Sequence, residues 1–183
     1  MFDRRFKSHH DAEQFYKDLL TKRMSSKQEL YDDLEHPIKA SRNAIYIHIP
    51  FCDKICSFCN MNRTLSTNPK NDYVDKLLMQ IKELGNKNAF NTSLIEAVYF
   101  GGGTPTTLLP KHFKEIIIAL SSSFKLSSNV EITCETTLHN LSTDHIKIFN
   151  EIGINRISIG IQTFQDEGRH FFNRSFNKKE VIK

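Results

Sequence analysis

The sequence lacks any apolar run long enough to cross a membrane. Its longest runs, such as Ile116 to Leu120 and Ile157 to Ile161, fall far short of the ~20 residues that a spanning helix needs. The first residues carry charges but no apolar segment with a cleavage site behind it, so no secretory signal is expected. The 25 basic and 21 acidic residues are interspersed, which argues against a nucleic-acid partner. We therefore expect a cytoplasmic protein without membrane insertion.

Cysteine is scarce and unevenly placed. The 183 residues include only four cysteines, and Cys52, Cys56 and Cys59 crowd into one short segment. A disulfide framework would spread its cysteines through a short secreted chain, so this pattern indicates a metal site in a reducing compartment. The chain is 39% hydrophobic and 25% charged, which is the balance of one globular domain with an appendage.

Residues 1–43 are predicted to form a helical extension that precedes a main domain at 44–183. Apolar residues recur at helical spacing from 8 to 24. A second helix is predicted from a cap at Ser26, ending before Pro37 because the residue before a proline avoids the helical region. His9 and His10 are expected to be solvated rather than to ligate a metal.

From residue 45 onward, short apolar runs alternate with helical patterns, which predicts βαβ units and a parallel sheet. Ser121 to Ser123 are expected to form a loop, and the chain is expected to be a fragment cut near Lys183. The predicted helices are Tyr73–Leu84, Pro110–Ser121 and Thr143–Ile152, with a fourth that begins near Asn177. The predicted strands are Ile45–Ile49, Ile95–Phe100, Val130–Glu135 and Arg156–Ile161.

The three clustered cysteines come directly after the first predicted strand. A closed zinc site takes four ligands, so three thiolates indicate either an open metal site or a four-iron cluster with one iron free. A zinc site completed by His48 or by a partner is the alternative. Cys134 is expected to lie in the core, because strand alternation turns it away from the face of Glu135.

A glycine triplet, Gly101 to Gly103, follows the second predicted strand and precedes Thr104-Pro105-Thr106. Glycines without a Cβ let a ligand approach the backbone closely. The run has neither the Lys-Ser/Thr ending of a phosphate loop nor the spaced glycines of a dinucleotide site. On these residues alone, a tight strand-to-helix turn is the alternative.

Taken together, three segments resemble the radical S-adenosylmethionine (SAM) enzymes. They are the cysteine motif with its preceding strand at 46–59, the Gly-Gly-Gly-Thr-Pro-Thr run at 101–106, and Gly-Ile-Asn-Arg-Ile-Ser-Ile-Gly-Ile-Gln-Thr-Phe at 153–164. Over roughly residues 45–183 the chain is similar to the oxygen-independent coproporphyrinogen III oxidase-like branch. The resemblance implies an α/β fold, a partial (β/α)6 barrel that is truncated after about four βα units.

The resemblance also implies a chemistry. Cys52, Cys56 and Cys59 would hold a [4Fe-4S] cluster whose open iron binds SAM. An electron from a donor such as flavodoxin or ferredoxin would then yield a 5′-deoxyadenosyl radical that abstracts hydrogen from a tetrapyrrole, either haem or coproporphyrinogen III. The positions implied to contact SAM are Tyr46, Phe58, Gly102, Gly103, Thr104, Glu135, Gln162 and Arg174.

Three of these positions carry polar groups suited to such a ligand. Glu135 ends a strand at the edge where barrel sites form, and its carboxylate can accept from an ammonium or from ribose hydroxyls, or else face solvent. Arg174 can clamp a carboxylate, or else is a solvated cation. Gln162 is expected at the end of the fourth strand, on one face with Arg156, Ser158 and Gly160.

The aromatic and histidine residues near the cysteines have expected roles too. Tyr46 and His48 share one face of the first strand, with the Tyr46 hydroxyl free for a ligand and His48 a hydrogen-bonded core histidine. Phe51, Ile55 and Phe58 are expected to form an apolar shell around the metal centre.

One residue departs from the coproporphyrinogen oxidases of this branch, which carry a further cysteine two residues after the third ligand. Met61 stands there, and a thioether cannot replace a thiolate. Relatives without that cysteine include haem chaperones and anaerobic haem-degrading enzymes, and the helical extension favours an enzyme over a chaperone. We therefore expect first a tetrapyrrole-directed radical enzyme, second a haem-binding chaperone and third a zinc-binding α/β domain.

Overall fold

A computed structural model describes residues 27–37, 42–65, 70–91 and 93–182. The chain divides into two compact units, Met1–His36 and Pro37–Lys183. In the first unit the described residues contain helix α1 (Lys27–Asp33), which confirms the second predicted helix. The helix predicted at 8–24, the Ser26 cap, His9 and His10 lie outside the described residues. The predicted boundary between residues 43 and 44 stays a prediction.

In the second unit, the described residues alternate between strands and helices. The helices are α2 (Asn71–Gly85), α3 (Asn88–Asn91), α4 (Pro110–Ser123), α5 (Thr143–Ile152), α6 (Asp166–Phe171) and α7 (Lys178–Ile182), with a 3-10 turn at Pro105–Thr107. The strands are β1 (Asn43–Ile49), β2 (Phe51–Cys52), β3 (Thr64–Leu65), β4 (Leu94–Gly102), β5 (Lys125–Thr136) and β6 (Arg156–Ile159).

Four of the strands form one parallel sheet in the order β1-β4-β5-β6, and β2 pairs with β3 separately. Because all four run the same way, their carboxyl ends lie at one edge of the sheet, where Ile49, Gly102, Thr136 and Ile159 end their strands. Helix α4 packs against both α2 and α5. The predicted α/β class with a parallel sheet is confirmed, and the strand ends define the edge at which side chains from distant segments meet.

The core lies between the sheet and these helices. Phe113 of α4 is fully buried, and its ring lies 5.4 Å from the ring of Phe100 on β4 and 4.9 Å from that of Phe149 on α5. Branched side chains of the sheet, including Ile95 and Val98, complete the same cluster. A parallel sheet is normally covered in this way, which explains why its strands read as continuous apolar runs.

The boundaries differ from the predicted ones at three informative places. Helix α4 continues through Ser123 instead of ending at Ser121, and within its last turn the Ser122 hydroxyl donates to the Ile118 and Ala119 carbonyls. Strand β5 begins at Lys125, well before the predicted Val130. Strand β6 ends at Ile159, two residues earlier than predicted, because the chain turns directly after it, where the Ile161 N–H donates to the Ile159 carbonyl at 3.0 Å.

Among the described residues, no helix combines the length and the apolar character that a membrane crossing would require.

The central position of Phe113 can be tested by truncation. Phe113→Ala should lower the free energy of unfolding by about 3–5 kcal/mol, because a buried aromatic side chain is lost and a cavity remains. Ile118→Ala on the same helix is the control: its side chain is 60% exposed, so a change within about 0.5 kcal/mol is expected. Urea denaturation would measure both, and equal losses would contradict this placement of the core.

Candidate functional site

A cavity of about 400 Å³ opens at the carboxyl edge of the sheet. Every residue predicted for the metal and SAM sites lines this cavity except Tyr46. The structure therefore brings together side chains that are spread over more than a hundred positions of the sequence. They come from the loop after β2, the end of β4, the end of β5 and the segments on either side of α6.

The cysteines lie in and just after the short strand β2. Cys52 is buried at the end of β2, while Cys56 and Cys59 are half-buried in the following loop, where the Cys59 N–H donates to the Cys56 carbonyl at 3.1 Å. All three thiols are free. Pairing of β2 with β3 closes this loop, because Phe51 and Cys52 face Thr64 and Leu65 in register. The three sulfur atoms thus reach one cavity from a single closed loop.

Two glycines let the end of β4 lie directly against the cysteine segment. The Gly103 N–H donates to the Ile49 carbonyl and the Thr104 N–H to the Phe51 carbonyl, both at 2.8 Å. A Cβ at Gly103 would lie 2.7 Å from the Phe51 oxygen and 2.9 Å from Cys52 Sγ. Gly102 has φ +115, a backbone conformation that side-chain-bearing residues rarely adopt. Glycine is thus needed at Gly103 for close contact between the backbone segments and at Gly102 for the turn of the chain.

The chemistry of the thiols allows two kinds of metal centre. Among the described residues, no group of three His, Cys, Asp or Glu side chains is already arranged to hold a metal ion. Three thiols around one cavity could hold a zinc ion that takes a further ligand, or a four-iron cluster in which each thiolate binds a different iron.

Cys52 is the most enclosed of the three ligand candidates. Burial raises the pKa of its thiol, the neighbouring Cys59 and Cys56 raise it further, and the Thr104 hydroxyl, 3.7 Å from Sγ, opposes the rise. An isolated thiolate is therefore costly here. A bound metal would offset that cost, because a coordinated thiol is deprotonated by the ion.

Glu135 is held by an aromatic pair at the end of β5. The Tyr99 hydroxyl donates to Glu135 Oε1 at 2.6 Å, and this hydrogen bond, with burial, raises the pKa of Tyr99 to about 12. Tyr46 stacks on Tyr99 with ring centroids 6.1 Å apart, and its hydroxyl is hydrogen-bonded to Nδ1 of His48 at 3.1 Å. The expectation of a free Tyr46 hydroxyl is therefore wrong. Its contact with SAM stays a prediction.

His48 is hydrogen-bonded, as expected, but only half-buried rather than in the core. Its Nε2 lies 3.0 Å from the Asn62 carbonyl, and its ring does not line the cavity. Both ring nitrogens are thus engaged with Tyr46 and with the loop. The geometry does not favour His48 as a fourth zinc ligand beside the cysteines.

Gln162 and Arg174 converge over Gly160. A Cβ at Gly160 would lie 3.3 Å from Gln162 Nε2 and 3.4 Å from Arg174 Nη2. The prediction that Gln162 lies at the end of the fourth strand is wrong. Gln162 lies in a turn after β6, with φ +68. The Arg174 guanidinium lies 5.6 Å from the centre of the Phe58 ring, and among the described residues its buried Nε has no hydrogen-bond partner. Such a donor is costly to bury, and a bound acceptor would satisfy it.

Three contacts tie the cysteine loop to distant parts of the chain. The Ser57 hydroxyl donates to the Phe171 carbonyl at 2.8 Å, and the Asn173 amide donates to the Ile55 carbonyl at 3.2 Å. On the other side the Asn140 amide donates to the Asp53 carboxylate. The loop therefore depends for its shape on the ends of β5 and α6.

Several expectations outside the ligand set are also resolved. Cys134 is fully buried, and burial raises the pKa of its thiol, as suits a core residue. Arg156 does not join the cavity but pairs with Glu131 at 2.9 Å.

Of the expected apolar shell only Phe58 lines the cavity. Phe51 turns into the core against Tyr73, because its neighbour Cys52 takes the cavity side, and Ile55 is exposed.

Sequence reasoning missed part of the lining. The loop after β5, residues 137–140, could have been found, because it leaves the same strand edge as Glu135. Arg169 gave no sequence signal, since it lies within a helix.

Charged side chains in the lining are mostly basic: Asp53 and Glu135 are outnumbered by Lys54, Arg63, Arg169 and Arg174. The cavity is thus suited to a ligand that carries carboxylates.

Comparison with known proteins identifies the class. The sequence pattern of the Radical SAM superfamily matches residues 46–183, so the chain belongs to that superfamily. A solved structure described as "Coproporphyrinogen III oxidase (HemN) from Escherichia coli is a Radical SAM enzyme" superposes with a TM-score of 0.76 at 25% identity. It covers 86% of this chain and 36% of that one. The expected parallel-sheet, partial-barrel fold is thereby confirmed.

Curated relatives fall into more than one functional group. The heme chaperone HemW of Bacillus subtilis (strain 168) is 33% identical over 139 residues, which are 75% of this chain and 36% of the relative. Anaerobilin synthase of Escherichia coli O157:H7 is 32% identical over 156 residues, 85% and 34% of the two chains. The oxygen-independent coproporphyrinogen III oxidase of Salmonella typhimurium is 28% identical over 141 residues, 76% and 30%. The chain spans about a third of the length of these relatives.

The contact between Asn173 and the cysteine loop generates a prediction. Asn173 has φ +57, so Asn173→Gly keeps the favoured backbone and removes only the amide, whereas Asn173→Ala also adds backbone strain. The alanine variant should therefore be less stable than the glycine variant by about 1 kcal/mol in thermal unfolding. Both should lose iron faster than the unaltered protein, because each frees the Ile55 carbonyl. Iron retention equal to that of the unaltered protein would contradict the anchoring role.

Proposed function

We propose that this protein is a radical SAM enzyme that acts on a tetrapyrrole, haem or coproporphyrinogen III. The observation that carries the proposal is the meeting of three free thiols with Glu135 and Arg174 around one cavity. Family membership supports it, because the Radical SAM superfamily implies a [4Fe-4S] cluster and SAM. In this proposal the ligands of the cluster are Cys52, Cys56 and Cys59.

The chain's own residues would orient the cofactors and exclude water. Gly102, Gly103 and Thr104 present backbone to the amino-acid part of SAM without a side chain in the way. Glu135, oriented by the Tyr99 hydroxyl, accepts hydrogen bonds from an ammonium or from ribose hydroxyls. When bound, the cluster and SAM supply one-electron cleavage of the sulfonium and hence hydrogen-atom abstraction from the substrate.

The remaining predicted contacts complete the ligand site. Arg174 offers an unpartnered donor to a carboxylate, while Phe58, under its guanidinium, keeps that donor in place. Gln162 adds an amide beside it. Tyr46, on the neighbouring strand β1, stacks on Tyr99, the residue that orients Glu135.

A tetrapyrrole is the substrate class that suits the charge of the cavity. Haem and coproporphyrinogen III carry propionate carboxylates, and basic residues outnumber acidic ones in the lining. The names of the relatives point to the same class of molecule. An electron donor such as flavodoxin or ferredoxin would reduce the cluster.

A haem-binding chaperone is the second candidate. Met61 lines the cavity and is 48% exposed at the position where coproporphyrinogen oxidases of the branch carry a further cysteine. A similar relative is named a heme chaperone. In that case haem would bind in the same cavity and leave it unchanged.

The cluster assignment predicts the effect of single cysteine substitutions. Anaerobic reconstitution of Cys59→Ala should leave markedly less iron and sulfide per chain than the unaltered protein, because a three-thiol site loses one ligand. Cys134→Ala is the matched control, since that buried thiol does not line the cavity, and it should keep its cluster. Elemental analysis would decide, and tightly bound zinc in place of iron and sulfide would contradict the assignment.

The enzyme and the chaperone differ in their products. With a reductant and SAM, the enzyme should form 5′-deoxyadenosine and convert haem or coproporphyrinogen III into a tetrapyrrole of new mass. Glu135→Gln should reduce both products at least tenfold, because a carboxylate that orients SAM is lost. Mass spectrometry would follow both products. Stoichiometric binding of haem that is released with its mass unchanged would reject the enzyme in favour of the chaperone.

A further inference from the structure

Arg169 is a buried cation that is not among the proposed SAM contacts. It lies in helix α6, where its side chain is only 5% exposed. Within the described part of the chain, its guanidinium forms no ion pair with a carboxylate. A buried charge without a counter-ion is costly unless hydrogen bonds satisfy it, so its partners indicate why it is there.

Those partners are backbone carbonyls of one turn. Arg169 Nη1 donates to the Ile161 carbonyl at 3.0 Å and to the Thr163 carbonyl at 2.9 Å, and its Nε donates to the Phe176 carbonyl. The first two acceptors stand immediately before and after Gln162. One guanidinium nitrogen therefore bridges both sides of the residue whose side chain points toward Arg174.

That turn needs such support. Gln162 has φ +68, a left-handed conformation that costs a residue with a side chain about 1–2 kcal/mol. The backbone bonds of the turn are short-range, with the Ile161 N–H donating to Ile159 and the Thr163 N–H to Ile161. By joining two carbonyls, Arg169 holds a conformation that the turn's own backbone would not favour.

The same residue also supports Arg174. The Arg174 N–H donates to the Arg169 carbonyl at 2.9 Å. The Arg169 guanidinium thus holds the Gln162 turn and, through the Phe176 carbonyl, the segment that carries Arg174, while the Arg169 carbonyl accepts from the Arg174 N–H. The side chains of Gln162 and Arg174 converge over Gly160. Lysine could not substitute fully, because the planar guanidinium presents several donors in a fixed arrangement and an ammonium does not.

We infer that Arg169 is a positioning residue that sets the Gln162 turn and the Arg174 backbone for ligand binding. This inference rests on the proposed function, because Gln162 and Arg174 are taken there as SAM contacts. Its Nε and Nη1 both donate to backbone carbonyls, so these donors act through the two residues and not on the ligand directly.

The first test does not need SAM. Amide hydrogen exchange, read by mass spectrometry on the peptide that spans 159–165, should be faster in Arg169→Met than in the unaltered protein. Arg156→Met is the matched control, because Arg156 is an exposed partner of Glu131 at the start of β6, and it should leave that peptide unchanged. Equal exchange in Arg169→Met and the unaltered protein would overturn the inference, whatever the protein binds.

The second test measures SAM affinity on the reconstituted protein. Arg169→Met should keep its iron and sulfide but bind SAM about tenfold more weakly, the loss expected for one buried polar contact. Adding Gln162→Ala to Arg169→Met should then lower the affinity for SAM little further, because both substitutions remove the contact between Gln162 and SAM. If the losses of SAM-binding free energy from the two substitutions were fully additive, Arg169 would act independently of Gln162 and the inference would be overturned.

Arg169→Lys keeps the positive charge and most of the aliphatic part of the side chain, so it replaces Arg169→Met in both tests if the methionine variant does not fold. It should show intermediate exchange and intermediate SAM affinity, and behaviour identical to the unaltered protein would argue against a need for the guanidinium. If the unaltered reconstituted protein binds no SAM, the proposed function fails, while the exchange experiment still decides the role of Arg169.

Discussion

The site depends on the contact between the end of β4 and the segment that carries Cys52. Hydrogen bonds from Gly103 and Thr104 to Ile49 and Phe51 set this contact, and the space at Gly103 admits no Cβ. A side chain there would push β4 away from Cys52 and open the cavity on its inner wall. The strict requirement for glycine therefore follows from packing of backbone on backbone before any ligand is considered.

The outer wall of the cavity is built from the opposite direction. Residues of the cysteine loop are fastened to positions 114 and 118 residues further along the chain, at Phe171 and Asn173. Arg174, next in sequence, stands over Phe58 of the same loop. The metal-ligand loop and the ligand-contact segment therefore share one support. Ordering of either segment should therefore favour ordering of the other.

The sequence revealed the parts of this arrangement that are local. Strand periodicity, cysteine spacing and the glycine triplet identified the sheet, the thiols and the carboxyl edge of the strands. The sequence could not reveal the turn at Gln162. The positive φ of Gln162 is held by bonds from Arg169, which is distant in sequence, and the residues around Gln162 have the pattern of a continuing strand. The sequence also did not reveal that the Tyr46 hydroxyl is bonded to His48, because the two residues meet only through their side-chain conformations. Nor did it reveal the last turn of α4, where the Ser122 hydroxyl bonds back to the helix.

The central claim is that three thiols hold an iron–sulfur cluster with one position left for SAM. Electron paramagnetic resonance of the reduced, anaerobically reconstituted protein tests it most directly, because the spectrum reports the ligands of the cluster. A reduced four-iron signal should appear, and adding SAM should change its g values. A signal that SAM leaves unaltered, or the absence of any iron–sulfur signal from protein that has bound iron, would contradict the claim.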